Sequence, residues 1–543
     1  LSHQSNKANS YLKGATILAA AGILSRLLGL FYKVPLYRLV GSYGNGIYGN
    51  VTNIYNMLLM VSTVGIPVAI SKMISESTAV DDYRGAKDVF KVSAATLLVL
   101  GGLSTIFLLL CSHWIIHVAN WPEESYPSMM AIALAPFIIS ICSAFRGFFQ
   151  GFQIMTPTAV SQIIEQIIRV GLGILLCWMA MSGGQGVGMG VGGAILGATV
   201  GGMVAAIFLG VIFWAYTSKN QARLAFTRRR HPRSWKTILK RLLIIAVPVT
   251  LTSVIVSLFA TINSFIYVSR LAVAGIDKVT ATMMFGDYTN VDTLINIPLV
   301  ISANLAVAMI PAISESFALH DKAMMNSKID LAIRIVVMVA LPCCVGLSVL
   351  SYGIFDLLFP GSLYGPGMME VFAYATIFMM LSNIFQSILQ SIDKFRVPLF
   401  TLGFGTVIFF ITGWITMAIP SINIYGMGLA FMVTFVYLTI ANYSCVKKFT
   451  GVRINWMKTV IKPVISAAIM GVVTWAVYNG LHHFVGNVIS LVVTVLVAAV
   501  VYTFVMIFTG AITHEELMIL PGHHRIEPAY HRIVRLRRKL FKR

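Results

Sequence analysis

Three cations, Arg26, Lys33 and Arg38, stand in GILSRLLGLFYKVPLYRLVG (Gly22–Gly41), a stretch otherwise apolar enough for the middle of a membrane. Seven residues make two helical turns, so Arg26 and Lys33 project the same way, roughly 10 Å apart along the axis. A cation at the centre of a bilayer costs at least about 2.5–3.5 kcal/mol on insertion scales. Arg26 therefore calls for a water-filled cavity, an acidic partner or an anionic ligand. Arg38 lies round the helix and near its end, where snorkelling to the headgroups suffices. Acidic groups are scarcer: Asp287, Asp292 and Glu165. Glu165 and Arg169 are four apart in SQIIEQIIRV, a spacing at which they pair and lower each other's insertion cost. Asp292 has no cation at helical spacing, and would pair across a cavity or carry a coupling proton or Na⁺. Asn53, Asn56, Asn290 and Asn296 add amides that either glue helices together or line a cavity.

Composition says what must hold these groups. Hydrophobic residues make up 57% of 543, charged residues only 11%, and mean hydropathy is +0.83. Too few charges are present to solvate a soluble protein of this length. Apolar windows of roughly 20 residues, enough to cross about 30 Å of hydrocarbon, recur throughout. The expected fold is all-α and polytopic, with about fourteen spans. They fall near 14–40, 46–74, 87–111, 126–150, 157–181, 187–216, 238–270, 282–311, 322–350, 366–391, 396–420, 424–447, 458–482 and 485–509. A first segment with Lys7, Lys13 and Ala19–Ala21 resembles a cleavable signal. Its hydrophobic run continues past the small residues, so it reads as a retained first helix.

The formal charge of +21 reflects basic cytoplasmic loops and not a nucleic-acid partner. Loops around Cys111–Ser125, Ser182–Gly186, Ser351–Pro366, Ile419–Asn423 and Asn479–Gly486 carry no Lys or Arg. Alternate connections hold Arg84 and Lys87, then Arg223, Arg228, Arg229, Arg230 and Arg233, then Lys394 and Arg396, then Lys447, Lys448 and Arg453. That alternation, broken only by Arg270 and Lys278, predicts a cell-membrane protein with both termini cytoplasmic. The tail HRIVRLRRKLFKR suits an anionic membrane surface. The six cysteines form no C-x-x-C. No phosphate loop and no H-E-x-x-H occurs, and His482–His483 and His523–His524 have no metal-ligand company. No cofactor or metal is expected. Any pumping would draw on membrane potential, H⁺, Na⁺ or the substrate gradient.

The chain also repeats itself. YGNVTNIYNML (Tyr48–Leu58) aligns with FGDYTNVDTLI (Phe285–Ile295), and the same offset sets Lys33 against Arg270. FRGFFQGFQIMTPTA (Phe145–Ala159) answers FQSILQSIDKFRVPLF (Phe385–Phe400) with one insertion. The expected organisation is an N-terminal lobe over 1–217 and a basic cytoplasmic linker over 218–237. A C-terminal lobe over 238–447, appended spans over 448–510 and a basic tail over 511–543 follow. Parallel repeats around a midplane cavity are a transporter design. A cation from each copy would suit a multiply charged anion such as a diphosphate.

SRLLGLFYKVPLYRLVG, GIPVAISKMISE and RGFFQGFQIMTPTAVSQIIEQIIRV resemble the MurJ and SpoVB-like polysaccharide-biosynthesis transporters of Gram-positive bacteria. These belong to the multidrug/oligosaccharidyl-lipid/polysaccharide exporter superfamily. The resemblance implies two six-helix lobes plus two further helices, and flipping of an undecaprenyl-diphosphate-linked sugar, lipid II in the MurJ case. It places Arg26 at the family's Ser-Arg-x-Leu-Gly arginine. Where Gram-negative members continue with Arg-Asp, this chain has Tyr32-Lys33. The substrate-binding candidates are thus Arg26, Lys33, Arg270, Asn53 and Asn290. Asp287, Asp292, Glu165 and Arg169 are candidates for ion coupling or cavity charge. The expected partners are a lipid-linked oligosaccharide diphosphate, membrane lipids and cell-wall synthesis enzymes. Another lipid-linked glycan (capsule, teichoic or sporulation-specific) is an alternative cargo. A cation/drug antiporter of the superfamily is a rival of a different class.

The charge alternation generates a direct test. Single cysteines at Ser182, Gly361 and Asn423 should react with an impermeant thiol reagent added to intact cells, and cysteines at Arg229, Lys394 and Arg525 should not. Labelling of the second set would reverse the orientation.

Overall fold

The computed structural model describes residues 2–225, 234–452 and 454–512, together with Tyr530, Arg532, Val534 and Arg535; side chains are described from Leu24 onward except at scattered helix positions. Residues 226–233 of the basic linker and most of the basic tail lie outside the described residues, as does the Arg26 side chain. Among the described residues every regular element is helical. In order these are α1 Ser2–Met60, α2 Ile66–Ala79, α3 Tyr83–Val118, α4 Ser125–Ala133, α5 Ala135–Gly151, α6 Thr156–Ser182, α7 Val187–Lys219, α8 Gln221–Ala225 and α9 Trp235–Val273. There follow α10 Lys278–Ala318, α11 Lys322–Val349, α12 Ser351–Leu358, α13 Gly365–Phe372, α14 Ala375–Ser391, α15 Arg396–Thr416, α16 Tyr425–Thr450, α17 Lys462–Val485 and α18 Asn487–Thr509.

Ten helices among the described residues are long and apolar enough to cross a membrane, or up to twelve if each of two bent pairs is one span. Those twelve match twelve of the segments read from the sequence. The other two, 14–40 and 282–311, are helical within α1 and α10 and include positions whose side chains are not described. The protein is a multi-pass membrane protein. Its helices are inverted relative to a soluble bundle. On α3, Ser93, Gly101, Thr105 and Ser112 are buried while Val99, Leu103, Ile106 and Leu110 are exposed. Apolar side chains face lipid at no penalty, and small residues let helix backbones approach.

The chain divides into two compact units, Leu1–Thr289 and Asn290–Arg543. The boundary falls within α10, because the first turns of α10 pack on α1 and α9. In the first unit α1 breaks at Gly41, whose φ of +66° and ψ of −171° belong to no helix. Asp277 starts α10 by accepting from the Thr280 backbone N–H at 3.0 Å. Hydrogen bonds from Thr280, side chain first and then backbone, hold the exposed Asp277 carboxyl below its usual range.

The packing of α6 on α7 follows directly from sequence. Gly193, Gly197 and Gly201 recur every four residues and form one stripe on α7. A Cβ built on Gly193 would press on the Leu176 backbone, and one on Gly197 would strike the backbone of Gly173 and Arg169. On Gly201 it would meet the Glu165 carbonyl oxygen. The stripe lets α7 lie directly against the backbone that carries Glu165 and Arg169, as small-xxx-small seams do in membranes.

In the second unit, Met325, Ile329, Ile333 and Val337 of α11 share a core with Met380, Ile384 and Ile388 of α14. Met470 of α17 and Tyr502 and Met506 of α18 join it. The Tyr502 hydroxyl donates to the Met338 carbonyl at 2.8 Å. Asn487, at the start of α18, donates to Asp356 at 2.7 Å and to the Gly353 carbonyl at 3.0 Å.

Overpacking a tight seam costs about 1–3 kcal/mol. Gly197→Val should accordingly lower the melting temperature of the purified protein by several degrees. Gly102→Val on α3, where an added Cβ meets nothing within 4 Å, should leave it nearly unchanged.

Candidate functional site

The polar groups of the first unit gather on the facing sides of α1, α5, α6, α9 and the start of α10. Lys33 is half-buried. Its ammonium donates to the Thr289 carbonyl at 3.3 Å and lies 5.9 Å from the Tyr48 ring centroid. Tyr32 beside it donates to the Ala194 carbonyl at 3.0 Å. Lys33 thus meets a carbonyl dipole and an aromatic face at span depth. Arg270 is half-buried in the last turn of α9, while Arg38 is exposed. Arg26 belongs to α1, and its side chain lies outside the described residues.

Asp287 is fully buried and accepts a 2.6 Å hydrogen bond from the Ser42 hydroxyl, which in turn bonds Tyr37 at 2.9 Å. Asn45 donates to the Gly286 carbonyl and to the Thr289 hydroxyl, both at 2.7 Å. Gly286 is what permits this approach: a Cβ there would collide with the Ser42 carbonyl oxygen. Together these contacts seal α1 against the first turns of α10. Neighbouring amides extend the seam. Asn50 donates to the Tyr267 hydroxyl at 2.9 Å, and Asn53 to the Ser264 hydroxyl at 2.7 Å and the Ala260 carbonyl at 3.3 Å. The amide nitrogen of Asn53 thus joins α1 to α9. Asn290 is fully buried and Asp292 half-buried, both in the second unit; Asn296 donates to the Asp292 backbone carbonyl at 2.8 Å.

Glu165 and Arg169 do pair, at 3.0 Å, as their spacing predicts. A third member was not legible: Arg146 of α5 reaches the other Glu165 oxygen, also at 3.0 Å. Arg146 further donates from Nε to the Ser161 hydroxyl at 3.0 Å. Its sequence separation from Glu165 is set by the turn between α5 and α6, so helical periodicity gives no hint of the contact. The signal was the cation itself, inside the apolar run AFRGFFQG. Relative exposures of 13%, 14% and 26% for Arg146, Glu165 and Arg169 leave a half-buried cluster with two cations and one anion. Among the described residues no group of three or more His, Cys, Asp or Glu could hold a metal ion.

Comparisons with known proteins agree with this architecture. The profile of a family described as "Polysaccharide biosynthesis protein" matches residues 11–317. "Stage V sporulation protein B" of Bacillus subtilis (strain 168) is 26% identical over 521 residues, covering 94% of this chain and 98% of the relative. "Lipid II flippase MurJ" of the same organism is 25% identical over 515 residues, covering 90% and 93%. Among solved structures, "Lipid II flippase MurJ, inward closed conformation" superposes with a TM-score of 0.65 at 15% identity, covering 91% of this chain and 98% of that one. An inward-facing multidrug resistance MATE family transporter of the MOP superfamily gives 0.66 at 15% identity, covering 79% and 96%. The shared fold is thus established, and the resemblance read from the motifs is borne out.

The three-residue cluster makes an asymmetric forecast. Glu165→Gln strands two half-buried arginines and should destabilise by about 3–5 kcal/mol, the range for breaking a buried pair. Arg146→Gln leaves a neutral Glu165–Arg169 pair and should cost clearly less. Thermal melts of the two purified variants check the order.

Proposed function

The chain belongs to the polysaccharide biosynthesis protein family, and from that premise we propose that it flips an undecaprenyl-diphosphate-linked cell-wall precursor, lipid II foremost, across the cytoplasmic membrane. It is a transporter and not an enzyme. The observation that carries the cargo assignment is Lys33, a half-buried cation in a membrane helix facing a carbonyl and an aromatic ring. In this reading Arg26, Lys33 and Arg270 grip the diphosphate, Asn53 and Asn290 line its path, and the prenyl tail stays in lipid. The seam of Ser42, Asn45 and Asp287 is the closed gate that must part to release cargo. Asp287 and Asp292 are then the candidates for a coupling H⁺ or Na⁺, with the membrane potential as the other drive. The repeat-based lobes, 1–217 and 238–447, would rock about this path, with both termini cytoplasmic.

The near-equal identity to the sporulation relative supports a second cargo, another polyprenyl-linked glycan handled by the same machinery. A cation/drug antiporter is disfavoured, because such a cavity needs surplus negative charge. The Arg146–Glu165–Arg169 cluster carries surplus positive charge.

Vesicles containing the purified protein and fluorescent lipid II should expose the label to an external quencher, and Lys33→Ala and Arg270→Ala should each slow this about tenfold or more. Arg26→Ala should abolish it, and Arg26→Lys should be impaired, since an ammonium cannot grip phosphate oxygens in pairs. Movement of a labelled teichoic or capsule precursor instead of lipid II would shift the cargo. Undiminished movement in all three alanine variants would overturn the diphosphate assignment.

A further inference from the structure

Resting on the flippase reading, we propose that Arg169, Arg146 and Tyr55 form a second oxyanion subsite, distinct from Lys33, that receives the cargo's diphosphate on its way through the membrane. Charge comes first. Glu165 neutralises one of two arginines, each held at 3.0 Å, so the cluster keeps one positive charge. Arg169 stands thirteen residues into α6, about 20 Å from its first residue at 1.5 Å per residue. At that depth a surplus cation facing lipid would carry the full insertion penalty. The exposed quarter of its side chain (26%) must therefore look onto water or ligand.

Hydrogen bonding comes second, and is independent of charge. Arg169 spends one terminal nitrogen on Glu165, while its Nε is buried with no hydrogen-bond partner. Tyr55 is 4% exposed, and its hydroxyl also has no partner. The two residues lie within electrostatic range of each other, with Tyr48 and Tyr32 nearby. A buried donor without an acceptor forfeits the hydrogen bonds it made to water. Two such donors beside one surplus cation is an arrangement that a phosphate oxygen would complete. The alternative, a purely structural clamp between α5 and α6, explains Arg146 but gives the Tyr55 hydroxyl no task.

Tyr55→Phe separates these readings. A clamp loses nothing when an unpartnered hydroxyl goes, whereas a subsite loses a donor to a charged oxygen. The full-length protein in nanodiscs, titrated with undecaprenyl diphosphate and separately with inorganic pyrophosphate, should bind about tenfold more weakly as Tyr55→Phe. Its melting temperature should be unchanged or raised. Arg169→Lys, which keeps charge but deletes Nε, should show a similar loss. Dependence on Tyr55 with pyrophosphate alone would mark the subsite as selective for the headgroup and would support it. Wild-type affinity in both variants sinks the subsite. If Lys33→Ala then abolishes binding, the flippase reading survives without it. Absence of diphosphate binding by the wild type removes both.

Discussion

A charge taken into a bilayer must be answered by protein, and much of the first unit is arranged around that requirement at Glu165. Its two oxygens take one arginine each, from α5 and from its own helix. Neither arginine alone belongs in an apolar run, and Glu165 alone would be worse. Joined, they tie α5 to α6. The glycine stripe on α7 then fixes α6 by its backbone, at the residues that bear the carboxylate and one guanidinium. Replacing that stripe with larger side chains would move the charges as well as the helix.

The seam between α1 and α10 is built from different material. Its hydrogen bonds join hydroxyl, amide and carbonyl groups, and the Asp287 carboxyl accepts from the Ser42 hydroxyl. Such bonds are modest, commonly about 1 kcal/mol each or less in membranes. Close glycine contact at Gly286 supplies the fit, while the weak polar bonds supply the register.

Relatives from one bacterium bear names for sporulation and for lipid II movement at nearly equal identity. On the proposed reading, a cation such as Lys33 would serve any diphosphate-linked glycan. Discrimination among sugars needs donors and acceptors farther from the phosphate, a division of labour in which the fold supplies the path and local polarity the selection.

Much of this was legible without coordinates. Hydropathy windows located the helices because crossing hydrocarbon demands about 20 apolar residues. The Glu165–Arg169 pair followed from a four-residue spacing, since one helix turn decides that geometry whatever surrounds it. The SRLLGLFYKVPLYRLVG motif announced the family. Tertiary structure alone decided the rest. Arg146 joins Glu165 through an interhelical turn, Asp287 meets Ser42 across 245 residues of chain, and Lys33 meets the Thr289 carbonyl across 256. Periodicity within a helix fixes which residues share a face; it cannot fix which face of another helix arrives opposite. That is set by packing over the whole bundle, where small residues, buried charge and lipid exposure are satisfied together.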